Sequence, residues 1–194
     1  DPSRVYLGLS TYNGFSTSIP GKRLNVAIED EGAVAAINAG AFNDNGTADA
    51  TVGSVPAGLT IHNSQVVSNV YKDLVPEKGF CGFNEDDILV VAKSMTAEQA
   101  MEQKIRDGCE FGPVLIMNGE VNDVAYNSNS GFNPRTAIGQ RADGAVIFLC
   151  IDGRQPGSVG GTYKDCIDIM VECGAVNACN MDGGSSSVML YRDY

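Results

Sequence analysis

The hydrophobic residues of this chain fall mostly in short runs broken by Gly, Asn, Asp and Ser, a rhythm of strands and turns in which three stretches carry helical spacing instead. The first helix is predicted over 22–31, with Leu24, Ala27 and Ile28 on one side and Gly32 placed to end it. The second opens at Thr96 as N-cap, carries Ala97, Ala100, Met101 and Ile105, and ends near Gly108. The third follows Thr162, sets Cys166, Ile167, Met170 and Cys173 on its apolar side, and stops at Gly174. Strands are expected from the weak alternation of Val5, Leu7 and Leu9, and over 33–37, 80–83, 88–92, 146–151, 175–179 and 188–191. Residues 58–61 and 65–67 read as a hairpin about His62-Asn63-Ser64, and 111–117 with 120–124 as a hairpin about Asn118-Gly119, the clearest such signal in the chain. Two polar stretches, 43–56 and 126–133, are expected as loops, the longer with a binding role.

No repeat of fixed period and no low-complexity linker interrupts this pattern. It reads as one domain over 1–194, of the α/β class in its α+β form: a mixed central β-sheet with a few flanking helices. With 194 residues the chain is long enough to bury a core without covalent staples. It opens on Asp1 in place of Met, as a processed chain or a piece of a longer one would.

Composition narrows the function classes. A formal charge of -11 argues against the basic footprint of nucleic-acid binding or adhesion to anionic membranes. No apolar run approaches the roughly 20 residues that span a bilayer, so no transmembrane segment is expected. The six cysteines are an even number, which prompts a disulfide reading, yet they occupy apolar slots. Cys150 lies within Val146-Ile147-Phe148-Leu149-Cys150-Ile151, and Cys166, Cys173 and Cys179 sit on or beside predicted core elements, so reduced core residues are expected. There is no CxxC pair, and the only histidine, His62, is remote in sequence, which argues against a structural zinc.

Chemistry concentrates where strands end. Asp152-Gly153-Arg154-Gln155-Pro156 follows one apolar run, and Asn180-Met181-Asp182-Gly183-Gly184-Ser185-Ser186-Ser187 follows another. Each places an Asp beside glycines whose conformational freedom lets main-chain N–H groups face a ligand. Asn38-Ala39-Gly40-Ala41-Phe42 forms a third strand-to-turn site.

The ordered set Ala36-Ile37-Asn38-Ala39-Gly40-Ala41-Phe42, Gly58-Leu59-Thr60-Ile61, Gly112-Pro113-Val114-Leu115, Pro134-Arg135-Thr136-Ala137-Ile138-Gly139, Asp152-Gly153-Arg154-Gln155, Ser158 with Gly160 and Thr162, and Asn180 to Ser186 resembles the phosphodiester glycosidase family. The resemblance runs over about 22–190; Ala39, Ala41 and Ser185 are mild departures from its glycine pattern. It implies hydrolysis of a sugar, of the N-acetylglucosamine type, joined at its anomeric carbon to a phosphodiester. It also implies work on phosphorylated glycans or exopolysaccharide of a bacterial cell envelope, in an extracellular or envelope-associated place.

Such a cleavage passes through an oxocarbenium-like state that paired carboxylates stabilise, and Asp152 and Asp182 are the expected catalytic pair. Arg135 and Arg154 are expected on phosphate oxygens, with Thr136 beside them and main-chain donors from Gly183, Gly184 and Ser185. Asn38 and Asn180 are expected to orient sugar hydroxyls or an N-acetyl group. Glu110 and Asp123 rank below the aspartate pair as acids, and His62 reads as a turn residue. Ser185 to Ser187 lack a GxSxG elbow, against a serine nucleophile. Asp44, Asn45, Asp49, Asp152 and Asp182 carry oxygen ligands but no recognised calcium-loop spacing, so neither metal nor other cofactor is expected. The alternative reading is a non-catalytic module that binds phosphorylated envelope glycopolymers in the same cleft.

Overall fold

The computed structural model describes residues 1–11, 14–43, 53–70 and 78–191. In chain order the elements are α1 (Leu24–Glu31), β1 (Ala35–Ile37), β2 (Thr60–His62), β3 (Gln65–Ser68), β4 (Phe80–Asn84), β5 (Leu89–Ala92), α2 (Ala97–Glu102), β6 (Ile105–Glu110), β7 (Val114–Met117), β8 (Glu120–Val121), α3 (Asp123–Tyr126), β9 (Arg135–Arg141), β10 (Val146–Ile151), α4 (Tyr163–Glu172), β11 (Ala175–Met181) and β12 (Met189–Tyr191). The make-up is α+β as expected. The strands are distributed over a five-stranded sheet β3-β2-β6-β4-β5, a second five-stranded sheet β10-β9-β11-β7-β8 and a β1–β12 ribbon, all antiparallel among the described residues.

Strand alternation sorts the core into layers. Phe80 and Ile61 face α2, meeting Leu59, Met95, Ala100 and Ile105. Cys81 and Phe83 point the other way, and with Leu89 and Val91 they pack on Val114, Cys179 and Met181 of the second sheet. The outer face of that sheet presents Ile116, Ala137 and Ala178 to Cys166, Ile167 and Met170 of α4. The order is therefore helix, sheet, sheet, helix. Ile167 and Met170 are fully buried, each stabilising this packing by about 1.5–3 kcal/mol.

Local chemistry explains the boundaries. Asn63 and Ser64 take φ of 50 and 59, and Asn118 and Gly119 take 53 and 82, so both predicted hairpins close on consecutive left-handed residues. Thr162 and Asp165 form a capping box at the start of α4, and Thr96 with Gln99 does the same for α2.

Four expectations are corrected. The second helix ends after Glu102, because Lys104 at φ 54 reverses the chain and Ile105 to Glu110 enter the first sheet as β6. Beyond Val121 the chain does not continue as a strand: Asn122 Oδ1 accepts from the N–H groups of Val124 and Ala125 and starts α3. The opening segment forms no described strand; Val5 and Leu7 pack on the core between the sheets, and Arg106 binds the carbonyls of Pro2 and Val5 at 3.0 and 2.8 Å in place of a ladder. Cys173 is also exposed, since it caps α4 rather than lying on its buried side. Among the described residues no helix is long and apolar enough to cross a membrane.

Candidate active site

β9 lies between β10 and β11, running antiparallel to both, with Ile151 opposite Arg135 and Met181 opposite Thr136. Asp152 and Asp182 therefore leave the sheet at the same edge, on either side of the start of β9. Two interstrand steps put their backbones roughly 9–10 Å apart.

The turn after β11 is fastened from three sides. Asp182 N–H donates to Ala39 O at 3.0 Å, Gly184 N–H donates to Pro134 O at 3.0 Å, and Asn38 Nδ2 donates to Asp182 O at 2.7 Å. Asn38 Oδ1 accepts from Thr136 Oγ1 at 2.8 Å and from Val188 N–H at 3.0 Å. Asn38 and Thr136 thus tie the β1 turn, β9 and the approach to β12 together. The Asp182 carboxylate is half-buried; its Oδ1 accepts from Gly183 N–H at 2.9 Å, while Oδ2 has no partner among the described residues. Of the main-chain donors expected from Gly183, Gly184 and Ser185, the first two are thereby bonded, and the exposed Ser185 keeps its N–H without a partner among the described residues.

The turn after β10 lies against the Asn133-Pro134 backbone. A Cβ on Gly153 would meet Pro134 N at 2.8 Å, and one on Gly160 would meet Asn133 C at 2.5 Å, so close approach demands glycine at both. Ser158 Oγ donates to Asp152 O at 2.5 Å and holds the turn closed. The Asp152 side chain is exposed. Burial, then the Asp152 carboxylate, push the thiol of Cys150 above its ordinary value. Arg154, at φ 57, donates from Nη2 to Asn133 Oδ1 at 2.7 Å. Its Nη1 lies 3.5 Å from where a Gly184 Cβ would stand, so this one guanidinium reaches from the turn after β10 to the turn after β11.

Arg135 and Asn180 are placed differently from Arg154. Arg135 is 6% exposed: Nε donates to Gly161 O at 3.0 Å, Nη2 donates to Ser130 O and Gly131 O at 2.9 and 3.0 Å, and the guanidinium stacks 4.3 Å over the Tyr163 ring. Three of an arginine's five N–H donors thus hold the loop before β9 and the turn before α4. Asn180 is buried and donates from Nδ2 to Gly112 O and Met181 O, both at 2.9 Å, while its Oδ1 is buried without a partner among the described residues.

The lower-ranked acids are engaged in the scaffold. Glu110 Oε2 accepts from Leu59 N–H at 3.0 Å, and Asp123 opens α3. His62 sits on the β2–β3 hairpin, with Nδ1 3.3 Å from Asp107 Oδ1. Asp44, Asn45 and Asp49 lie outside the described residues, and among those described no group of three His, Cys, Asp or Glu is spaced to hold a metal. Residues absent from the sequence reading of the site are Asn133, the anchor of Arg154, and Cys150, beside Asp152. A single hint of the first was its place directly before Pro134, where the chain is driven extended.

Fold and site together define an antiparallel two-sheet scaffold whose polar turns gather at one edge of the second sheet. The chain belongs to the phosphodiester glycosidase family, whose sequence profile matches residues 31–194 and so contains every turn described above. It is 27% identical over 197 residues to the SPbeta prophage-derived protein YomE of Bacillus subtilis (strain 168), covering 96% of this chain and 27% of that protein. Its fold is shared with the zebrafish N-acetylglucosamine-1-phosphodiester alpha-N-acetylglucosaminidase catalytic domain auto-inhibited by its pro-peptide, at a TM-score of 0.69 and 18% identity over 95% of this chain and 62% of that one. A hypothetical protein from Synechocystis matches with a TM-score of 0.60 and 16% identity, over 95% of this chain and 52% of the other. The chain thus spans just over a quarter of the curated relative it matches.

Proposed function

We propose that the protein hydrolyses a glycosyl-1-phosphodiester, with a sugar of the N-acetylglucosamine type, at the bond between the anomeric carbon and the phosphate oxygen. The observation that carries this reading is the span of Arg154 between the two turns that present Asp152 and Asp182. A diester phosphate carries one negative charge and is already a competent leaving group, so binding its oxygens matters more than protonating it. Arg154 Nη1 and Ser185 N–H are the donors available for that task. The Asp182 Oδ2 and the Asp152 carboxylate supply the negative charge that favours an oxocarbenium-like centre between them. As the C1–O bond breaks, its electron pair leaves with the phosphate; water delivers hydroxyl to C1 and its other proton passes to the released phosphate or to the solvent.

Family membership supports the reaction class, and the zebrafish relative supports the choice of sugar. Phosphorylated glycans or exopolysaccharide of a bacterial cell envelope, met outside the cell or within the envelope, fit as natural targets. The test is incubation with uridine diphosphate N-acetylglucosamine and with an aryl ester of N-acetylglucosamine-1-phosphate, following free sugar. Release of sugar with the phosphate left on the aglycone is the expected result. Saturable binding without release on either compound overturns hydrolysis in favour of a glycopolymer-binding module.

A further inference from the structure

Between the two sheets lie three thiols that the proposed hydrolysis does not use. Cys81 of β4 and Cys109 of β6 are cross-strand partners in the antiparallel register, and Cys179 of β11 enters the same cluster from the facing sheet. Cys81 and Cys109 are each 5% exposed and Cys179 is fully buried. Cys179 Sγ donates to Phe111 O at 3.3 Å. The cluster reaches the β1 turn: a Cβ on Gly40 would stand 3.3 Å from Cys109 Sγ.

Direct antiparallel partners have Cα atoms about 4.5 or 5.5 Å apart, and both values fall within the usual span of a disulfide, about 4.4–6.8 Å. Register alone therefore brings Cys81 and Cys109 within bridging distance. Cys179 belongs to another sheet and has a carbonyl partner of its own. The Cys81 side chain, then burial, push the Cys109 thiol well above its ordinary value, so the folded, reduced protein presents little thiolate to an oxidant. Cys81 and Cys109 are also closed off from solvent, at 5% exposure each, so the bond forms while the chain is folding, before the sheets close over it.

We propose that Cys81 and Cys109 are a disulfide site, closed when the chain folds in an oxidising medium and left as two free thiols when it folds in a reducing one. With a low-molecular-weight disulfide such as oxidised glutathione as oxidant, one cysteine thiolate attacks a glutathione sulfur and releases one glutathione thiolate. The second cysteine thiolate then attacks the cysteine sulfur of the mixed disulfide and releases the other. Two protein thiols are oxidised, one external disulfide is reduced, and the two protons pass to the released thiolates.

The experiment refolds the full chain from denaturant in mixed reduced and oxidised glutathione, alkylates free thiols, and maps peptides by mass spectrometry without reduction. The expected result is one linked peptide pair joining Cys81 to Cys109, lighter by two hydrogens than the separate peptides, with Cys150, Cys166, Cys173 and Cys179 alkylated. The Cys179→Ala protein is expected to keep that link and the Cys109→Ala protein to lose it. Alkylation of both Cys81 and Cys109 in the refolded wild type, or a link from Cys81 to Cys179, overturns the proposal. Mapping of the wild type alone decides the matter, whether or not the variants fold.

Discussion

Thr136 donates its hydroxyl hydrogen to Asn38 Oδ1 over 2.8 Å, and this bond fastens the β1 turn to the central strand of the three that frame the site. Thr136 is fully buried, while Asn38 carries further bonds to Asp182 O and Val188 N–H. Replacing Thr136 by Val removes one hydrogen bond and keeps the shape, at an expected cost of about 1 kcal/mol, whereas Asn38→Ala loses three bonds and strands a buried hydroxyl, at about 2–4 kcal/mol. Because the two share a bond, the double variant should cost little more than Asn38→Ala alone. Urea unfolding of the four proteins measures this; full additivity would contradict the coupling.

Asp182→Asn keeps Oδ1 as acceptor for Gly183 N–H and removes only the charge. Turnover of the phosphodiester is expected to fall by about 10²–10⁴-fold, the range for loss of a positioned acid or base. The unfolding midpoint should change little, since the turn keeps its bonds to Ala39 O and Asn38. Steady-state kinetics beside a denaturation curve test both halves, and an Asp182→Asn protein with wild-type kcat removes this residue from the chemistry.

The sequence placed Asp152 and Asp182 at strand ends because each follows an apolar run and precedes glycine, a local signal. It did not reveal that β9 separates their strands, since pairing is set by contacts distant along the chain. The same limit hid the part played by Asn38, whose bonds to Thr136 and Asp182 cross 98 and 144 residues. The helix expected after Thr96 ends early for a related reason: Met101 and Ile105 fit a helical face, and only the reversal at Lys104 assigns Ile105 to a sheet. Arg135 and Arg154 looked alike as cations, and what separates them is burial, which residue type does not disclose.

That separation yields a contrast. Arg135→Lys loses the fork geometry that serves Gly161 O, Ser130 O and Gly131 O and is expected to destabilise the fold by about 2–4 kcal/mol. Arg154→Lys leaves the exposed turn folded and is expected to alter stability by no more than about 0.5 kcal/mol. For the phosphodiester the order reverses, with Arg154→Lys raising KM more than Arg135→Lys at a temperature where both are folded. Paired melting curves and kinetics check this; equal effects on KM would assign Arg135 a direct share in binding the phosphate.

Arg154 also holds a backbone conformation that a side chain disfavours, at φ 57. The left-handed region costs a non-glycine residue roughly 1 kcal/mol, and removing the side chain forfeits only the surface bond to Asn133 Oδ1. Arg154→Gly should therefore be more stable than Arg154→Ala by about 1 kcal/mol, since alanine keeps the strain without the guanidinium. Both should lose phosphodiester turnover to the same extent while leaving any cleavage of a neutral aryl glycoside nearly unchanged. Chemical denaturation separates strain from chemistry: if glycine and alanine unfold at the same midpoint, the turn relaxes when arginine is removed. If glycine alone restores stability while neither restores activity, Arg154 is retained at an unfavourable φ for its charge, as expected of a group that must meet an anion.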